Sequence, residues 1–257
     1  MRLSYRDQGQ GPAMIFLHAF PLDQTMWDEQ AASLVEERRV ITFDWPGFGQ
    51  SPSTAPAPES TGLDQMVTDL IELLDYLSLD QVDLCGLSMG GYAALAFYRS
   101  FPERIRSLGL CDTKATADPP ATQKARQEMA ELVVREGSAA LIPIMLPRLL
   151  GASTLRRPKN PLPDRIAEMI QRSAPQGVAR ALQAMATRTA TTDLLGSIHV
   201  PTFLVVGGED VLTTPAEMRE MAAAIPKATL QVIEQAGHLP NMEQPHLFLE
   251  ALRSGLP

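Results

Sequence analysis

Runs of apolar residues without alternating polar positions recur along this chain, and they constrain its fold more than any other feature. Examples are "VDLCGL" at 82–87 and "PTFLVVGG" at 201–208. Between such runs lie amphipathic segments, such as 63–79, in which apolar residues recur at helical spacing. A strand that is apolar on both faces is typical of a parallel sheet covered by helices on both sides. The sequence therefore predicts an α/β fold with a mostly parallel sheet.

The same patterns predict where the elements lie. Strands are predicted in two pieces within 1–18, broken at Gly9 to Pro12, and at 38–44, 82–87, 105–112, 201–208 and 228–234. Helices are predicted at 26–37, 63–79, 89–101, 215–225 and 244–255, and a low-complexity tract at 53–60. Residues 115–195 break the alternation, because they contain helical segments but no convincing strand. We therefore predict a core formed by 1–114 and 196–257, with a helical cap inserted at 115–195.

Composition and charge argue against several classes of partner. The 257 residues suffice for one large domain with an insertion, and the formal net charge of −8 argues against nucleic acid or an anionic membrane. No apolar run approaches the roughly 20 residues that span a bilayer, and the first residues lack a signal-peptide core. Cys85 and Cys111 lie in apolar runs and are predicted to be buried free thiols. We expect a cytoplasmic protein, and no residue grouping has metal-ligand spacing.

The stretch "CGLSMGGYAA" at 85–94 places a serine at the junction of a predicted strand and a predicted helix. Gly86 and Gly90 flank Ser88 and remove side chains that would clash in a sharp turn. On such a turn the hydroxyl projects above the carboxyl ends of the strands, and the Met89 N–H at the helix start can stabilise negative charge. A tight strand–helix turn without catalysis, or a phosphate loop, would show the same pattern. Ser88 is nevertheless our candidate nucleophile, because possible partners exist elsewhere in the chain.

A serine nucleophile needs a base, and the chain has four histidines. His238 lies in "EQAGHLPNMEQP", a glycine-bearing loop after a predicted strand, where an exposed and mobile base can be held. His199 precedes a strand and His246 lies in the last helix, and both are expected at the surface. His18 ends a strand and is expected to brace the following loop through a hydrogen bond.

The acid that orients the base is predicted at the end of the penultimate strand, in "LVVGGEDVLTTP". Asp210 is favoured over Glu209, because successive residues leave a strand in opposite directions. Asp112 is the rival, since it also ends a strand next to the serine turn. The resulting order of Ser88, Asp210 and His238 is the chain order of α/β-hydrolase triads.

The motifs "HAFP", "FDWPGFGQS", "GLSMGG", "GGEDVLTTP" and "AGHLPNMEQP" make the whole chain resemble the α/β-hydrolase superfamily. The pieces "SLGLCDT", "SAPQG" and "EDVLTTPAEM" resemble the 3-oxoadipate enol-lactonase and small carboxylesterase branch. This resemblance implies the α/β-hydrolase fold and a cofactor-free serine hydrolase acting on a small ester or lactone through an acyl-enzyme. It also implies that Phe20 supplies a second oxyanion N–H, with Ala19 standing where relatives carry glycine.

Two questions stay open at the level of sequence. The same triad would serve a hydrolase of carbon–carbon bonds or a perhydrolase, and a hydrolase-like fold can also serve as a small-molecule receptor. Residues 148–172 are rich in basic side chains, which indicates either a solvated face or attraction of anionic substrates. Arg148, in the apolar stretch "IMLPRLLG", is the candidate for binding a substrate carboxylate, whereas Arg156 and Arg157 are expected to be exposed.

Overall fold

A seven-stranded sheet forms the centre of the molecule in the computed structural model, which describes residues 3–53 and 62–256. Most of the low-complexity tract predicted at 53–60 lies outside these residues. The strand order is β1-β3-β2-β4-β5-β6-β7, and all neighbours are parallel except β1 and β3. The strands are β1 Tyr5–Gln8, β2 Ala13–Leu17, β3 Arg39–Phe43, β4 Val82–Leu87, β5 Ile105–Cys111, β6 Thr202–Gly207 and β7 Ala228–Ile233. The predicted mostly parallel sheet is confirmed.

Burial along the strands explains why their sequences carry no alternation. Every residue of β2, β4 and β6 is buried, because helices cover the sheet on both faces. At one edge, β7 alternates between half-buried and exposed positions until Ile233. At the other edge, β1 pairs antiparallel to β3 and is largely exposed. The continuous apolar runs thus mark the middle of the sheet, where the site described below is formed.

The helices follow the predicted alternation with some shorter bounds. They are α1 Asp28–Leu34, α2 Asp64–Tyr76, α3 Met89–Ser100, α4 Pro120–Glu136, α5 Ile142–Leu149, α6 Ala152–Leu155, α7 Leu162–Arg172, α8 Pro175–Thr187, α9 Pro215–Ala224, α10 Pro240–Glu243 and α11 Pro245–Gly255. The prediction of one helix over 26–37 is wrong at both ends, because Gln24–Trp27 form a 3-10 turn capped by Asp23. The helix predicted over 63–79 ends at Tyr76, shortly before Ser78 adopts a φ of 53°.

Five helices, α4 to α8, lie between β5 and β6, and no strand occurs among residues 112–201. We call these helices, residues 120–187, the α4–α8 segment. Helices α4 and α8 pack against each other, and Arg172 of α7 binds the core residue Asp23 at 2.6 Å. The placement of domain boundaries near 115 and 195 stays a prediction.

The two thiols are both buried and free, as predicted, with their sulfur atoms 3.8 Å apart on neighbouring strands. Across the described ranges 3–53 and 62–256, we find no helix with the length and apolar character to cross a bilayer.

Candidate active site

Ser88 occupies the sharp turn between β4 and α3, as the sequence predicts. Glycine is required on both sides of it for reasons of space. A Cβ atom on Gly86 would lie 2.2 Å from the carbonyl oxygen of Gly90, and one on Gly90 would lie 2.2 Å from that of Leu17. Either contact is far inside van der Waals distance, so larger residues at these positions would force the strand and the helix apart.

The backbone of Ser88 is held in an unusual conformation, with φ of 55° and ψ of −111°. Such dihedrals are costly for a residue with a side chain, by about 1–3 kcal/mol, and persist only where neighbours enforce them. The Ser88 N–H donates to the carbonyl of Cys111 at 2.8 Å. The Thr113 hydroxyl donates to the carbonyl of Ser88, also at 2.8 Å. Strand β5 and the residues after it therefore fix the turn that presents the serine.

The other two predicted triad residues lie beside each other. His238 Nδ1 and Asp210 Oδ2 are 2.7 Å apart, and both side chains are buried. Burial alone would raise the pKa of Asp210, but the interaction with His238 and the N–H donors of Leu212 and Thr213 lower it below its usual value. Asp210 therefore stays ionised and can accept a hydrogen bond from the Nδ1–H of His238. The expectation of an exposed base was wrong, because only 2% of His238 is accessible to solvent.

Glu243 organises the loop that carries His238, a role that the sequence analysis missed. Its carboxylate accepts from the N–H groups of Gly237 and Leu239, at 2.8 and 3.2 Å. Its second oxygen accepts from the N–H of Gly151 at 2.8 Å, which joins the loop to the α4–α8 segment. Burial raises the pKa of Glu243 despite these donors. The signal was available in "MEQP", where an acid lies five residues after the histidine.

Asp112, the rival acid, lies in the same cluster. It follows β5 with a φ of 43° and is fully buried. One potential ligand atom each from Asp112, Asp210 and His238 lies within 4.8 Å of the others. Burial, and secondly the negative charge of Asp210, raise the pKa of Asp112 well above its usual value. The cluster has the composition of a metal site, but the hydrogen bond between His238 and Asp210 accounts for two of its three members.

Two backbone N–H groups are available for an oxyanion. Phe20 lines the same cavity as Ser88, and Met89 is the first residue of α3. Within the described residues, neither N–H donates to a side chain or to a backbone carbonyl outside regular helices and strands. Ala19 is not among the residues with positive φ, so alanine at this position carries no left-handed strain.

His18 braces this loop, as predicted. Its Nε2 accepts from the N–H of Trp45 at 3.0 Å, and its Nδ1 lies 3.0 Å from the carbonyl of Ala19. The two contacts require the tautomer with the proton on Nδ1. Because burial lowers the pKa of His18, the ring stays neutral and keeps both bonds. His199 and His246 are exposed, as expected.

Ser88 and His238 line one cavity of about 470 Å³ at the carboxyl edge of the sheet. The α4–α8 segment supplies much of the opposite wall, including the side chains of Met129, Met145, Arg148 and Met185. Further charged residues that line the cavity are Lys114, Asp118, Arg126 and Glu217. A cavity of this size can hold a small molecule.

Most of the charged side chains in this lining are paired. Lys114 binds Glu217 at 2.7 Å. Asp118 binds Arg126 on one side and Arg188 on the other, at 2.5 and 2.8 Å, which lowers its pKa. None of these interactions was anticipated, because each one joins residues that only the fold brings together.

Arg148 differs from its neighbours in the basic region 148–172. It lines the cavity, is exposed, and makes no hydrogen bond or salt bridge with the residues that the structure describes. Other members of the region bind the core, because Arg172 pairs with Asp23 and Arg165 donates to a backbone carbonyl of the 3-10 turn. Among the described residues of 148–172, Arg148 is thus the one basic side chain that lines the cavity, whereas Arg165 and Arg172 bind the core.

Known proteins resemble this chain over nearly its full length. 3-Oxoadipate enol-lactonase 2 of Acinetobacter baylyi is 30% identical over 254 residues, which cover 98% of this chain and 92% of the relative. A thermophilic esterase from Thermogutta terrifontis, solved with malate bound, has a TM-score of 0.93 at 42% identity, covering 98% of this chain and 92% of that one. The enol-lactonase from Burkholderia xenovorans has a TM-score of 0.87 at 29% identity, covering 98% and 95%.

Residues 12–245 match the family described as alpha/beta hydrolase fold. This range includes the serine turn, both acids and the histidine loop. The chain therefore belongs to the alpha/beta hydrolase family.

Proposed function

We propose that this protein is a serine hydrolase that cleaves a carboxylic ester or a lactone through an acyl-enzyme. The observation that carries the proposal is that one cavity is lined both by Ser88, on its strained turn, and by His238, whose other face is hydrogen-bonded to Asp210. The esterase and the enol-lactonases to which the chain is similar support the same class of reaction.

In the first step, His238 Nε2 takes the proton of the Ser88 hydroxyl while its oxygen attacks the substrate carbonyl carbon. Asp210 accepts a hydrogen bond from the Nδ1–H of the imidazole without taking its proton, and this bond stabilises the positive charge that the ring acquires. Because Asp210 has a lowered pKa, it stays ionised at neutral pH and holds the ring in the required tautomer.

The N–H groups of Phe20 and Met89 then bind the oxygen that becomes negative. Met89 is the first residue of α3, whose N-terminus favours negative charge. His238 returns its proton to the leaving alkoxide, which remains attached to the acyl group when the substrate is a lactone. A water molecule, deprotonated by His238, hydrolyses the ester on Ser88 and restores the enzyme.

The substrate is proposed to be small and to carry a carboxylate that Arg148 binds. Arg148 is a cation with no acidic partner among the described residues, and it lines the cavity. One relative is named for the enol-lactone of 3-oxoadipate, and another was solved with malate, which has two carboxylates. A guanidinium offers two parallel donors to such a group.

The proposal is tested by turnover of short p-nitrophenyl esters, with stopped assays at several enzyme concentrations. We expect catalytic release of p-nitrophenol, far beyond one equivalent per chain. Release of one equivalent at most, with tight binding of the acid product, would instead identify a receptor on a hydrolase scaffold.

A structure with a trifluoromethyl ketone on Ser88 tests the oxyanion assignment. The oxygen of the adduct should lie within about 3 Å of the Phe20 and Met89 nitrogens. An adduct oxygen that points to solvent would contradict the assignment while leaving the nucleophile in place.

A further inference from the structure

We infer that Asp112 is a reserve acid for His238, so that its carboxyl group can orient the imidazole when Asp210 is removed. This inference rests on the proposed function, because it concerns the acid of that triad. Asp112 is a positioning residue in this account, since it touches neither the substrate nor the attacking oxygen.

Backbone contacts hold Asp112 in place at the end of β5. Its N–H donates to the carbonyl of Val205 at 2.9 Å. Its Oδ1 accepts from the N–H of Gly207, also at 2.9 Å, and its carbonyl accepts from the Thr213 hydroxyl at 3.2 Å. The side chain is therefore fixed from the strand that leads to Asp210, and one carboxyl oxygen is already engaged.

The other oxygen, Oδ2, is buried and has no hydrogen-bond partner among the described residues. A buried polar atom without a partner is destabilising, so such atoms are rare in stable cores. Asp112 also belongs to the cluster in which atoms of Asp210 and His238 lie within 4.8 Å. A carboxyl oxygen of Asp112 and a ring nitrogen of His238 are thus within 4.8 Å of each other, a gap that reorientation of the two side chains can close once Asp210 is removed.

The charge state explains why Asp112 does not compete in the intact protein. Its pKa is raised well above the usual value by burial, by the Asp210 carboxylate and by the Cys111 thiol on its own strand. The two acids thus carry one negative charge between them, on Asp210, where His238 binds. Removing Asp210 removes the second of these causes, and the positive charge that the imidazole of His238 acquires favours the ionised form of Asp112. Asp112 can then release its proton to solvent and accept a hydrogen bond from His238 Nδ1.

The test compares four variants by kcat/KM on a p-nitrophenyl ester, with folding checked by thermal unfolding. Asp112→Asn alone should lower the rate by less than about 10-fold, because it alters roughly one hydrogen bond. Asp210→Ala should lose about 10²- to 10³-fold, and Asp112→Asn/Asp210→Ala about 10⁴-fold or more, the loss expected when a triad has no acid. The matched control, Ser107→Ala in the Asp210→Ala background, changes the opposite end of β5 and should add little.

Equal rates for Asp210→Ala and the double variant would overturn the reserve role. That result is distinct from failure of the proposed function, in which Ser88→Ala would keep wild-type turnover. Loss of wild-type turnover in EDTA would assign Asp112 to a metal and would also overturn it.

Proton NMR tests the same inference on Asp210→Ala alone, without the double variant. In Asp210→Ala, the Nδ1 proton of His238 should still resonate at low field, because Asp112 shields it from exchange with water. Absence of that resonance from folded Asp210→Ala would contradict the inference.

Discussion

The carboxyl edge of the sheet and the α4–α8 segment form the two walls of one cavity, but they contribute to it in different ways. At the edge, backbone geometry places the functional side chains. Ser88 is held by a strained turn, and Asp210 and His238 lie on loops that follow neighbouring strands. In the α4–α8 segment, side chains such as Arg148 reach the cavity only through the packing of helices on the core.

Because of this difference, we expect the two walls to affect catalysis in different ways. Under the proposed mechanism, the strand ends determine which bond can be broken, since they hold the proposed nucleophile, base and acid. The α4–α8 segment would then determine which molecule is held there. Substitutions at the edge should therefore lower turnover for every substrate, whereas substitutions in the helical wall should change the preference among substrates.

The largest effect is expected from Ser88→Ala. Because triad members act as a unit, kcat/KM should fall by about 10⁴-fold or more for every ester. The variant should unfold at the temperature of the wild type, since Ser88 contributes mainly backbone hydrogen bonds. Ser100→Ala, at the other end of α3, is the matched control. Wild-type turnover by folded Ser88→Ala would contradict the assignment of Ser88 as the nucleophile.

The next effect separates the two acids at the edge. Asp210→Asn should lose about 10⁴-fold, because its amide keeps His238 in place but favours the wrong tautomer. Asp112→Asn, equally buried, should lose less than about 10-fold, as argued above from one hydrogen bond. Rate measurements on both folded variants give the ranking. The reverse order would move the catalytic acid from the end of β6 to the end of β5.

A smaller effect is expected from Arg148→Met in the helical wall. For a lactone or ester that carries a free carboxylate, kcat/KM should fall by about 10- to 150-fold, which corresponds to a charged hydrogen bond of roughly 1.5–3 kcal/mol. For the corresponding methyl ester the rate should hardly change. Arg156→Met is the control, because Arg156 is exposed and does not line the cavity. A preference for the acid that survives Arg148→Met would assign its binding to another side chain.

The smallest effect concerns stability alone, at a half-buried acid that does not line this cavity. Burial raises the pKa of Asp69 on α2 from 3.8 to about 6. The folded protein therefore binds this proton more tightly, and the contribution to stability, present below pH 4, is lost as the pH rises through about 6. Asp69→Asn should remove this decrease, worth about 1–2 kcal/mol after allowance for solvent screening. Urea unfolding at pH 4 and pH 7 measures it, and identical pH dependence in both proteins would refute the shift.

The sequence predicted the carboxyl edge well because its constraints are local. Gly86 and Gly90 indicate the turn at Ser88, and the residues that follow two predicted strands place Asp210 and His238 on successive loops. The sequence did not predict that Asp112 would lie beside both, because strand order brings β5 and β6 together. The same limit applies to the helical wall.

The sequence analysis mainly failed to predict contacts between residues that lie far apart in the chain. The sequence showed a concentration of basic residues at 148–172 but could not distinguish their contacts. In the structure, Arg172 pairs with Asp23, whereas Arg148 lines the cavity. The sequence also failed to predict the bounds of α1. Residues 24–27 form a 3-10 turn capped by Asp23, and no helical period in the sequence reveals where α1 begins.

Covalent trapping tests the central claim most directly. The intact protein would be incubated with a p-nitrophenyl alkylphosphonate, and the labelled residue would be identified by peptide mass spectrometry. Our account predicts one adduct per chain on Ser88, no adduct on Ser88→Ala, and much slower labelling of His238→Ala. An adduct on another residue, or stoichiometric labelling of Ser88→Ala, would contradict it.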